Sequence, residues 1–137
     1  MMMFLLAAAL SCPSLKTATA RGAVGEDAQV TVIPAERAAV YTCQFKGTDA
    51  ELIIEVGTLD AAGQFAHFAE TACRGGHDVA PLKAIGNEAI ACTVQTAEKV
   101  VGRVRNRTFV IRLSAANAKS LRGKASALAE QVAGNLF

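Results

Sequence analysis

Val100-Val101-Gly102-Arg103-Val104-Arg105-Asn106-Arg107-Thr108-Phe109-Val110-Ile111-Arg112-Leu113 is the stretch that decides the fold class. Two runs, 100–105 and 108–113, carry the period of two that belongs to strands. Asn106-Arg107 lies between them, and Asn tolerates the positive φ of a tight turn. A two-residue turn there pairs Arg105 with Thr108, Val104 with Phe109 and Gly102 with Ile111. Val100, Val104, Phe109, Ile111 and Leu113 then share one face. The opposite face holds Val101, Arg103, Arg105, Thr108, Val110 and Arg112. Both halves agree on which side is dry, so register and burial support each other. A hairpin with one dry and one wet face points to an antiparallel sheet.

The same reading extends outward. Upstream, Gly86-Asn87 is a turn, and 88–94 is a strand with Ile90, Cys92 and Val94 on one side. Residues 77–85 read as a loop around Pro81. In 59–72 the period changes: Leu59, Ala62, Phe65, Phe68, Ala69 and Ala72 recur every three or four residues. That spacing predicts a helix, capped by Thr58 or Asp60 and stopped by Gly75-Gly76. Further back, 40–45 and 51–56 form a hairpin around Gly47-Thr48-Asp49. Tyr41, Cys43 and Phe45 share one face of its first strand; Leu52, Ile54 and Val56 share one face of its second. Residues 29–33 have strand character, ended by Pro34. Downstream, Ser114 reads as the cap of a last helix whose stripe is Leu121, Ala125, Leu128, Val132 and Leu136. The order β-β-β-α-β-β-β-α predicts an α+β fold. It is a mostly antiparallel sheet of about five or six strands with two helices packed on one face.

The chain has 137 residues, enough for one core. Hydrophobic residues make up 52% and charged residues 19%, which excludes a disordered tail. No apolar run reaches the length of a membrane span. Residues 1–20 read as a signal peptide, with an apolar run at 3–10 and the small-x-small form Ala18-Thr19-Ala20 before a cut. Residues 21–38 then form a flexible leader with a short strand, and 39–137 a single α+β domain. Ala9-Leu10-Ser11-Cys12 offers an alternative route, lipidation of Cys12. Either route implies export to the periplasm, the cell surface or the extracellular space.

A cut after Ala20 leaves Cys43, Cys73 and Cys92, and three single pairings are open among them. A disulfide often ties a helix end to a sheet, which favours Cys73–Cys92. The loop closed by that bond contributes about 3 kcal/mol in the chain-entropy model. Cys12 lies outside this set on either route. Cys73 and His77 are two metal-ligand types with no partner pair, short of the three or four that zinc needs.

The sequence contains no phosphate loop, dinucleotide fingerprint or zincin motif. Ser114, Ser120 and Ser126 all fall in or at the last helix, and His67 and His77 are not brought near them by any pattern. No catalytic residue, metal site or cofactor is therefore assigned, and the expectation is a non-enzyme. Charge is more informative. Residues 21–98 hold five basic and eleven acidic residues, and residues 99–137 hold eight basic and one acidic. Arg103, Arg105 and Arg112 share the wet face of the hairpin, a candidate surface for an anionic ligand or an envelope protein. The competing reading pairs them with Glu51, Glu55 or Glu88 on neighbouring strands. Nucleic acid is not an expected partner. Asn106-Arg107-Thr108 matches the glycosylation sequon and is read as unmodified.

Ala84-Ile85-Gly86-Asn87-Glu88-Ala89 resembles the Gly-Leu/Val-Gly-Asp-Glu-Ala turn of small exported bacterial proteins and lipoproteins of unknown function. Ala84 stands where those domains have Gly, and Asn87 where they have Asp. Tyr41-Thr42-Cys43-Gln44-Phe45 is similar to their cysteine strand. Leu128-Ala129-Glu130-Gln131-Val132-Ala133-Gly134-Asn135-Leu136 is similar to their terminal helix. The helix that precedes the cysteine strand in those domains is not found in this reading. A more distant likeness is to extracellular sensor domains of bacterial receptor kinases. The resemblance implies an exported α+β domain that binds or senses a ligand, and it carries no catalytic residue. The alternative is a structural or interaction domain tethered to the envelope; a small hydrolase or redox protein comes last.

Overall fold

The computed structural model describes residues 11–34, 40–59, 64–116 and 121–137. In chain order the elements are α1 (Thr17–Val24), β1 (Gln29–Pro34), β2 (Tyr41–Lys46), β3 (Ala50–Thr58), α2 (Phe65–Ala72), β4 (His77–Leu82), β5 (Glu88–Val94), β6 (Ala97–Val104), β7 (Arg107–Ala115) and α3 (Leu121–Leu136). The seven strands form one antiparallel sheet in the order β1-β2-β3-β7-β6-β5-β4. The architecture is α+β. The sheet has seven strands rather than five or six, and the described residues hold three helices rather than two.

The decisive hairpin forms, with its turn moved. β6 and β7 meet at Arg105-Asn106, Arg105 has φ 59, and Gly102 faces Phe109 while Val100 faces Ile111. The predicted register is off by two residues, and a slip of two leaves every side chain on its own face. The reason lies in side-chain volume. A Cβ on Gly102 would sit 2.3 Å from Phe109 Cζ, so the Phe109 ring lies over the bare glycine. Phe109 is fully buried there.

Val100, Gly102, Val104, Phe109, Ile111 and Leu113 form the centre of one face, continued by Leu52, Ile54 and Val56 on β3 and by Tyr41, Cys43 and Phe45 on β2. Two helices cover it side by side: α1 on β2 and β3, α3 on β6 and β7. The α3 stripe of Leu121, Ala125, Leu128, Val132 and Leu136 is buried as its spacing predicts, and Ala129 and Ala133 join it. The other helix expected on this face is not there. α2 packs on the opposite face, where Phe65, Ala69 and Cys73 meet Cys92, Val101 and Val110. Strand alternation makes this necessary, because Cys92, Val101 and Val110 point away from the main core.

Three further expectations change. Residues 77–82 are a strand, β4, paired to β5 with an irregularity between His77 and Ala80. Ser114 is not a helix cap; it lies in β7 opposite Glu51 and Ala97. Thr58 ends β3. The alternative cap Asp60, and Ala62 of the predicted helix, lie outside the described residues.

Residues 11–28 belong to the fold. Cys12, Leu15, Ala20, Val24 and Ala28 lie in the main core with Phe45 and Leu52. Cys12 is bonded to Cys43, so it is not outside the cysteine set. Asn135 Nδ2 on α3 donates to Ser14 O at 2.9 Å, tying the first segment to the last helix.

Two glycines give opposite expected outcomes. Gly102→Ala forces the Phe109 ring aside and should cost about 1–3 kcal/mol. Gly123, exposed in α3 with open space around its Cβ position, should gain about 0.5–1 kcal/mol on change to Ala. Urea unfolding of both variants checks the signs.

Candidate functional site

The sequence brings a helix and a hairpin edge together on the face away from α1 and α3. α2 is only 8 residues long, and its apolar side carries Phe65, Phe68 and Ala69. Such a short helix is marginal alone and needs tertiary anchors. The Cys73–Cys92 disulfide, with Cα atoms 6.1 Å apart, fixes its C-terminal end to β5. Lys99 Nζ on β6 donates to Ala72 O at 2.9 Å, placing a cation on the last carbonyls of α2. Gly76 N–H bonds Cys73 O at 2.9 Å and turns the chain into β4.

α2 is too narrow to cover this face out to the edge. Between it and the β4–β5 hairpin runs an open groove of 910 Å³. Phe65, Ala69 and Cys73 form one wall; Pro81, Leu82 and Ile90 form the other. The rim is polar and of mixed charge: Glu70 and Arg74 on the helix side, Lys83, Asn87 and Glu88 on the hairpin side. An apolar trough with a few polar rim groups is the usual form of a small-molecule or peptide site.

The turn that closes the hairpin side is Ala84-Ile85-Gly86-Asn87. Ile85 is anchored in the main core. Gly86 has φ 62, and a Cβ on it would stand 2.5 Å from Arg103 O. Asn87 N–H donates to Arg103 O at 2.8 Å, and Asn87 Oδ1 accepts from Arg105 N–H at 2.6 Å. The motif braces the β6–β7 tip and holds the groove's far lip.

The candidate arginines divide. Arg103 Nε donates to Glu88 Oε2 at 2.8 Å, and its Nη1 to Arg105 O at 2.7 Å. Arg103 and Arg105 are thus neighbours at the hairpin tip. Arg112 lies on β7 opposite Lys99 and Ile53, four residues further along the ladder from Arg103's partner, about 13 Å away. Arg112 therefore stands apart from the other two on the same sheet face. Of the acids named as competitors, Glu88 pairs with Arg103 and Glu51 accepts from Gln44 Nε2 at 2.5 Å.

A second cavity, of 610 Å³, opens at the other end of β5 and β6. Its feature is Glu98, 4% exposed, which accepts from Thr93 Oγ1 at 2.7 Å and from Arg122 Nε. Arg122 Nη2 also donates to Asp78 O at 2.6 Å, so this charge pair joins α3 to β4, β5 and β6. Both carboxylate oxygens are already occupied within the fold, which makes the pair a clamp. Sequence reading missed it; Glu98 beside a strand start and Arg122 on the polar side of a helix give no local signal.

His77 Nδ1 lies 3.1 Å from Asp78 Oδ2, both exposed. No group of three or more His, Cys, Asp or Glu suited to a metal occurs among the described residues. Asn106, in the sequon, is exposed, and its carbonyl accepts from Leu59 N–H at 2.7 Å. Comparisons with protein-family models, with curated proteins and with solved structures find no match to this chain.

Replacing Cys73 and Cys92 together by Ser should cost about 3 kcal/mol and release the anchored end of α2. Thermal unfolding reads the loss. Amide exchange in α2 rising well above that in α3 reads the release.

Proposed function

We propose that the chain is a non-enzymatic, exported ligand-binding domain that takes an apolar ligand in the groove between α2 and the β4–β5 hairpin. The groove itself carries the reading. A trough of 910 Å³ walled by Phe65, Ala69, Pro81 and Ile90 leaves apolar surface exposed to water. Filling it with an apolar group returns about 25 cal/mol for each Å² covered. Both disulfides suit an oxidising compartment and support the export part of the reading. No helix among the described residues is long and apolar enough to cross a membrane.

The fluorescent dye 1-anilinonaphthalene-8-sulfonate tests the site. It should bind the folded protein saturably at one site. Ala66 lines the groove and is exposed, so Ala66→Trp fills the trough without entering the core. The variant should keep its melting temperature and bind the dye at least tenfold more weakly. Equal binding by both proteins would remove the groove as the site.

A further inference from the structure

We propose that β1 is a dimer edge: it pairs antiparallel with β1 of a second copy of this chain and joins the two sheets about a two-fold axis. The open sheet has two edge strands, β1 and β4, and they are built differently. β4 carries the devices that keep an edge from pairing. Pro81 lacks an N–H, the register is irregular between His77 and Ala80, and Asp78 has φ 55. His77 and Asp78 add exposed ionisable side chains. β1 carries none of these from Gln29 to Ile33. It has no charged side chain there, and four of those residues, Val30, Thr31, Val32 and Ile33, are β-branched. Its register with β2 is continuous from Gln29 to Pro34, and its proline comes only at the last position. Among the described residues no strand pairs with its outer side. Ile33 is 55% exposed, and Val30 and Val32, which pack against the main core, are only half-buried.

Face parity fixes the pairing. Residues opposite each other across an antiparallel pair share a face, so odd positions of β1 meet odd ones and even meet even. A two-fold contact also sets one residue against itself. Centring on Thr31 puts Val30 opposite Val32 of the second copy, and Gln29 opposite its Ile33. Pro34 then falls outside the ladder. Centring on Val32 would bring Pro34 into the ladder, where it has no N–H to donate. In the Thr31 register the Val30 and Val32 pairs lie on the face of Cys43 and Phe45, so they carry the main core across the seam. The Thr31 pair lies on the opposite face. Assembly stops at two chains. Each copy uses up its own β1, and both outermost strands are then the blunted β4. A β1-to-β4 contact would instead run head to tail and build a fibre. The groove beside β4 and β5 stays open in both copies.

Sedimentation equilibrium of the protein purified from its host, over a range of concentrations, is the test. The chain should sediment as a monomer–dimer system. Thr31 is exposed, so Thr31→Lys leaves the monomer folded while setting two ammonium groups against each other across the seam. It should raise the dimer dissociation constant at least about tenfold. Its melting temperature should match that of the unaltered chain at concentrations where both are monomeric. Thr31→Val keeps the strand β-branched and uncharged and should leave the dimer intact. His77→Lys, at an exposed position of the other edge, should leave it intact as well. A monomer at every concentration overturns the proposal, because the edge is then left bare or covered by the chain itself. A dimer that survives Thr31→Lys, or that His77→Lys breaks, overturns it by placing the contact elsewhere. Species that grow beyond two chains overturn the closed pairing. Dye binding in the groove is read separately in each case and does not depend on the result.

Discussion

The Phe109 ring lying over Gly102 fixes the register of β6 against β7, and the rest of the sheet is built out from that pair. β7 is the central strand, with β3 on its other side. Its Ile111 faces Val100 in β6 and Ile54 in β3, so one alignment sets the dry row across three strands. A slip of one residue would turn Phe109, Ile111 and Leu113 to the far side. A slip of two would keep the face and bring a Cβ-bearing side chain under the ring. The bare position at Gly102 is what separates the observed register from that one, and the turn at Arg105 follows from it, braced by Asn87.

Much of the architecture could be read from period alone, and the failures share a cause. Alternation identified both faces of β6–β7 and of β2–β3, because it depends only on parity. The turn position could not be read, since Asn106 drew the turn to the residue whose backbone tolerates positive φ, while Arg105 adopts it instead. β4 was hidden by Pro81 and by positive φ at Asp78, features that blunt an edge strand and look like a loop in sequence. The helical stripe of Phe65, Phe68 and Ala69 shows which side of α2 is apolar. It says nothing of which side of the sheet receives it.

The cysteines show how face parity could have said more. Cys43 alternates with Tyr41 and Phe45 on the main core face, whereas Cys92 alternates with Ile90 and Val94 on the other. A seven-stranded sheet stands between them, so Cys43 needs a partner on its own side, and Cys12 is the one the fold supplies. The groove was less legible. It arises because α2 is short and sits over β6, leaving the β4–β5 side bare. Neither helix length nor position over the sheet is encoded by a local pattern.

Each face is therefore covered by a short helix that could not hold its place unaided. α1 and α2 have 8 residues each, below the length at which helices persist in water. α3, with 16 residues and seven buried side chains, is held by packing, by Arg122 on Glu98 and by Asn135 on Ser14. The two disulfides compensate for what the short helices lack, one on each face. Cys12 pins the entrance of α1 to β2, and Cys73 pins the exit of α2 to β5. For α2 the anchor is one-sided. Its C-terminal end is bonded through Cys73 and through Lys99 to Ala72 O, while among the described residues Phe65 at its start packs in the apolar cluster with Cys92, Val101 and Val110. The wall of the groove is thus fixed at one end and held by packing at the other.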